Sequence, residues 1–198
     1  MIEIHATLAE GMPLAYASVV REARLEQGES GLEPVEDGWF VANVRDVAWY
    51  TSDAFGSACR FESREAQFAE LGVNLRVLEP GQSNCLYHGE SNQEAFLVLH
   101  GEALLLVEGE ERPLRQWDFV HLPPMTEHVA VGAGDGTCVI LMVGARGEDE
   151  KLHYPVSELA ARYGASAEQE TDSAPEAYAR FTRPRPERPA SWGRLPWA

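Results

Sequence analysis

A chain of 198 residues with 44% hydrophobic and 24% charged side chains buries a real core and fits one domain with terminal extensions, leaving little room for two full domains. A formal charge of -16 repels phosphate backbones over the whole screening distance, so a broad nucleic-acid footprint is not expected. Cys59, Cys85 and Cys138 are odd in number and lack CxxC spacing, which argues against a zinc knuckle or a disulfide framework and for a reducing, cytoplasmic setting.

Residues 1–30 carry Glu3, Glu10, Arg21 and Glu22 instead of a basic start followed by an apolar run. No stretch reaches the roughly 18 apolar residues of a membrane span, so neither a leader nor a membrane partner is expected. Leu14 to Leu25 has the spacing of a helix. Trp39 to Val44 and Gly56 to Phe61 read as short strands between polar turns. From Val73 the pattern sharpens: Val73, Leu75 and Val77 alternate with Asn74 and Arg76 before the Pro80-Gly81 turn, which predicts a half-buried strand. Further strands are predicted at Glu94 to Leu99, Ala103 to Val107, Asp118 to Leu122 and Cys138 to Val143, divided by glycines and the Pro123-Pro124 pair. Short strands without long intervening helices point to a sandwich or closed barrel.

After Gly147 the composition changes. Pro155 to Gly164 offers an early proline, apolar residues at helical spacing and a closing glycine, so a short helix is expected, with a second from Pro175 to Phe181. Prolines then punctuate Arg183 to Trp197 and predict an extended arm. The division expected is an extension over 1–70, a core barrel over 71–147, and a helical segment with a proline-rich arm over 148–198.

Two segments carry chemistry. In the first, His88 and Glu90 sit two apart, which on a strand turns both to one face, and Glu94 follows on the next strand. In the second, His128 follows the Pro123-Pro124 turn. Two imidazoles and two carboxylates suit a divalent ion, with zinc, iron, manganese and nickel all chemically reasonable. Without metal, an inward Glu94 needs a hydrogen-bonding partner, because a bare buried carboxylate is costly. Phe96 and Val98 share the face of Glu94 and are expected to line the same interior. Phe119 and His121 share a face of their own strand and are expected at the pocket edge. Cys85 has no visible activating base and reads as a small buried residue.

These segments resemble the two motifs of the cupin superfamily. Gly81, His88, Glu94 and Gly101 follow the order of the first, and Asp118, Pro123 and His128 that of the second. The resemblance implies a mainly all-β fold, a double-stranded β-helix barrel, and commonly a metal held at its centre by three histidines and a glutamate. This chain departs from the pattern in several positions. Glu90 stands at the second histidine if His88 is the first, and another register puts Tyr87 and Gly89 at the two histidine positions, leaving only Glu94 and His128. Trp117 and Met125 replace glycines of the second motif, and Gly132 stands where asparagine is common.

Two functions of different class follow. One is a metal-dependent protein acting on a small polar molecule through His88, Glu90, Glu94 and His128, of isomerase or oxygenase type if an enzyme. The other is a metal-free binding or sensing module in which Tyr87, Glu94, His128 and apolar neighbours grip a ligand. Trp39, Trp49, Trp192 and Trp197 lie in the flanks and need burial, which predicts a homodimer.

Overall fold

The computed structural model describes residues 20–147 and 149–198. Its strands are β1 Leu25–Gln27, β2 Leu32–Pro34, β3 Ala48–Ser52, β4 Gly56–Arg60, β5 Leu71–Leu78, β6 Gly89–Glu90, β7 Glu94–His100, β8 Glu102–Val107, β9 Glu110–Arg115, β10 Phe119–Leu122, β11 His128–Ala133, β12 Cys138–Ala145, β13 Leu152–His153 and β14 Arg185–Pro186. Two single-turn helices, α1 Glu158–Ala161 and α2 Ala174–Ala177, follow the barrel. One sheet has the order β10-β7-β12-β5-β4-β3-β14 and faces a second of order β11-β8-β9. β13 and β6 pair at one end, and β1 and β2 pair in the N-terminal extension.

Alternation decides which face each strand buries. Leu78, Phe96, Val98, Leu105, Val120, Ala130, Ile140 and Met142 point between the sheets and form the barrel core. The opposite faces are covered too. Leu75, Val77 and Val139 pack outward against Trp49, Cys59 and Leu195, with Trp192 and Trp197 beside them. Across the barrel, Leu106, Val129 and Val131 pack against Tyr87, Ala160 and Ala165, so the α1 segment covers the smaller sheet. The strand predicted around Val73 to Val77 is therefore buried on both faces, and the polar face carrying Asn74 and Arg76 looks into a cavity.

The sequence expectations hold at β4, β5, β7, β8, β10 and β12. The helix expected from Leu14 to Leu25 lies outside the described residues as far as residue 19, and residues 20–25 are not helical. Trp39 to Val44 is not a strand. Asn43 caps a turn there, its side chain accepting from Arg45 N, and Val41 is 84% exposed, so no sheet partner rewards the apolar run. β3, β9 and β11 were not expected. β9 is polar and exposed along nearly its whole length and owes its strand to pairing with β8.

Both C-terminal helices form but are shorter than their patterns. Ser157 caps α1 by accepting from Ala160 N, and Gly164 ends the segment at φ 66. The proline-rich arm is extended and docked. Arg185 and Pro186 pair with Thr51 and Tyr50, and Trp192 and Trp197 meet Trp49 at ring distances of 5.5 and 5.7 Å. Three of the four tryptophans that motivated a homodimer thus bury against one another within the chain. Among the described residues, no helix is long and apolar enough to cross a membrane.

Candidate metal centre

His88 and His128 come from distant segments but oppose each other directly. His88 N donates to His128 O and His128 N to His88 O, at 3.1 and 2.8 Å, so their side chains leave the backbone on one side with rings 5.2 Å apart. Glu94 opens β7 and turns inward beside Phe96, whose ring lies 5.4 Å from that of His128. One potential ligand atom from each of His88, Glu94 and His128 falls within 4.8 Å of the others.

Each histidine is oriented by its own backbone. Nδ1 of His88 meets the carbonyl of Leu86 and Nδ1 of His128 that of Thr126, both at 2.9 Å. A ring that donates from Nδ1 keeps the lone pair on Nε2 for a ligand. Nε2 of His128 lies 2.9 Å from Glu94 Oε2, the length of an ion pair. Neither atom has a hydrogen-bond partner, so the two are close but misaligned for a shared proton. Two buried, partnerless donor-set atoms at that separation fit a cation bound by both, since ligand bonds of roughly 2 Å leave neighbouring ligands about 3 Å apart.

Burial, then the charge of His128, lowers the pKa of His88, which favours the neutral, ligating ring. Glu90 stands outside the cluster of three but on the same cavity wall. Its carboxyl is pushed up to about 7, first by burial and then by Glu94 and Glu150. Cys85 Sγ lies 3.8 Å from His88 Nδ1, and burial drives its thiol up to about 12, as suits an inert buried residue.

The expected pocket-lining set divides. Phe96 borders His128, and Val98 lies further along the same face in the barrel core. Tyr87 faces away from His88 into the cluster under α1, its hydroxyl accepting from Gly109 N. Strand alternation explains this: with His88 inward, its neighbour points out. Phe119 and His121 share a face as expected, but the outer one, because Val120 and Leu122 take the core. Phe119 is 67% exposed.

The sequence reading missed Asn74 and Arg76 on the cavity wall and Tyr154, whose ring stacks 5.5 Å from His88 at 17°. The polar side chains at alternate positions of a strand central to the barrel were the available signal for the first two. Tyr154 left none. The departures from the second motif also have a structure. Trp117 and Met125 keep positive φ of 76 and 63, the backbone a glycine would take, and a Cβ on Gly132 would lie 2.4 Å from Glu79 O, which bars asparagine there.

The family model described as a cupin domain matches residues 74–144. No curated protein matches the chain. Among solved structures, a protein of Acidithiobacillus ferrooxidans provisionally named a sugar phosphate isomerase is 32% identical, covering 43% of this chain and 56% of its own length, with a TM-score of 0.42. The chain thus spans little more than half of that relative. A sugar phosphate isomerase from a cupin superfamily, of Silicibacter pomeroyi, is 22% identical over 60% of this chain and 87% of its own, with a TM-score of 0.51. A Cupin 2 conserved barrel domain protein of Salinispora arenicola is 21% identical over 65% and 98%, with a TM-score of 0.46.

Proposed function

From a chain that belongs to the cupin superfamily, with its cupin domain at residues 74–144, we propose a protein that holds one divalent metal ion through His88, Glu94 and His128 and acts on a small polar molecule in the adjoining cavity. The observation that carries this reading is the buried pair of His128 Nε2 and Glu94 Oε2, 2.9 Å apart and without hydrogen-bond partners. Zinc, iron, manganese and nickel all suit the donor set. When bound, the ion would polarise an oxygen of the bound molecule as a Lewis acid.

The chain's own residues supply the rest. The carbonyls of Leu86 and Thr126 hold the two imidazoles by Nδ1, which leaves each Nε2 free for a ligand, that of His128 against Glu94. Glu90, with a carboxyl that titrates near neutrality, adds a fourth ligand or exchanges a proton with the bound molecule. Tyr154 stacks on His88 and limits its rotation.

Metal analysis of protein purified without chelator or affinity tag tests the reading. Near-stoichiometric metal, lost in His88→Ala and His128→Ala, is expected. An empty protein that still binds small molecules would favour the metal-free binding module instead. The proposal includes a reducing, cytoplasmic setting, supported by three unpaired cysteines. It also includes a homodimer, supported by Trp39, Trp117 and Phe119, which are 52%, 67% and 67% exposed. A monomeric mass across micromolar concentrations would count against the dimer.

A further inference from the structure

The cavity beside the proposed metal ligands does not end at them. Gly72, Asn74, Arg76, Asn84 and Arg146 line it on one side and also line a second, larger cavity of about 820 Å³. The outer chamber is aromatic: Tyr50, Phe55, Phe61, Tyr178 and Phe181 contribute to its walls, with Phe55 packed 4.7 Å from Phe181. It is built by the flanks. β3 and β4 form one side and the α2 segment another, so both extensions are needed to complete it.

The neck between the chambers holds a cation without a partner. Arg76 projects inward from the middle of β5, its Nε is buried with no hydrogen bond, and no described carboxylate forms an ion pair with it. Asn74 Oδ1, two residues before on the same face, is also buried and unbonded. Arg146, the other arginine of the neck, is engaged by both oxygens of Glu62 and by the carbonyl of Phe68. A half-buried guanidinium whose Nε is shut away from water without an acceptor is costly unless an anion or water completes it.

We infer that this neck is a carboxylate site, and that the molecule acted on at the proposed metal centre is an organic acid: its carboxylate rests on Arg76 and its apolar, ring-sized body fills the aromatic chamber. The inference rests on the metal reading only for which end of the molecule faces the ligands. One planar guanidinium matches a carboxylate in a two-point fork. A phosphate dianion asks for more positive charge than the neck's one free arginine supplies beside Glu90, Glu94 and Glu150 of the inner cavity, since Arg60 and Arg183 line only the outer chamber. The chamber volume lies within the range of ordinary ligand sites, roughly 300–1,000 Å³.

The test is calorimetric titration of the full chain, metal-free and zinc-loaded, with 3-phenylpropionate, its neutral amide 3-phenylpropanamide, and inorganic phosphate. The acid is expected to bind at least about tenfold more tightly than the amide in both forms, the worth of a charge-assisted hydrogen bond. Phosphate is expected not to displace it. Arg76→Gln abolishes the preference for acid over amide without changing zinc content, and Phe181→Ala weakens both ligands alike. Arg76→Lys, which keeps the charge and loses the fork, retains part of the preference and serves if the glutamine variant does not fold. Equal binding of acid and amide by the wild type, an undiminished preference in Arg76→Gln, or displacement by phosphate at equal strength would overturn the inference. A protein that binds no zinc yet keeps the Arg76-dependent preference would remove the metal reading and leave this site standing.

Discussion

Glu94→Gln separates the two states of the site because its effect should differ between them. In the wild type without metal, a carboxylate that is 16% exposed faces an imidazole that is 2% exposed, and neither contact atom is hydrogen-bonded. An unsatisfied buried polar group costs about 1–3 kcal/mol. The amide is neutral and has an N–H to offer His128 Nε2, so the metal-free variant should melt no lower than the metal-free wild type. With ion present at about 100 times its dissociation constant, the wild type gains about 2.7 kcal/mol. For a chain of this size about 1 kcal/mol moves the melting temperature by about 2–4 °C, so the expected rise is about 5–11 °C. The variant, lacking one anionic ligand, should gain far less. Thermal melts at pH 7 with and without zinc, manganese and iron, paired with direct metal-binding measurements, provide the assay. A wild type that neither binds nor responds to any ion, or a variant that keeps the full rise, would refute the reasoning.

Glu90 gives a pH dependence of stated sign. Its folded pKa, about 7, lies above the ordinary carboxyl value of 4.5, because burial and the neighbouring Glu94 disfavour the charge, so the fold binds this proton more tightly than the unfolded chain. The stability it contributes is complete below about pH 4.5 and is lost as pH rises through about 7; melts of metal-free wild type against Glu90→Gln should diverge over that window, with the wild type falling. Trp117, at φ 76 and 67% exposed, holds a left-handed backbone that costs about 1 kcal/mol, so Trp117→Gly should raise the melting temperature by about 2–4 °C, and a drop would contradict the strain. Trp49 is fully buried between the sheet and the C-terminal arm, and Trp49→Ala should destabilise by about 3–5 kcal/mol in chemical denaturation. A loss below about 1 kcal/mol would mean the arm is not docked.

What the sequence determined by itself is the part of the molecule governed by local period and order. Alternation located β5, apolar runs between turn residues located β7 and β12, and the ordered spacing of Gly81, His88, Glu94, Gly101, Asp118, Pro123 and His128, through its resemblance to the cupin motifs, pointed to the fold and, in one of two registers, to the three residues that meet in it. A two-residue period tells which side chains share a face but not which face is the inside. Only the assembled sheets decided that Phe119 and His121 point outward while Val120 and Leu122 fill the core, and that His88 turns in while Tyr87 turns out. Nor does alternation reveal when both faces of a strand are buried. Asn74 and Arg76 read as a solvated face until the flanks closed over the other side, because the arm that covers Leu75 and Val77 arrives from more than a hundred residues away. The aromatic chamber likewise exists only in three dimensions. Its walls come from β3, β4 and the α2 segment, whose approach is set by packing and by no pattern in any one of them.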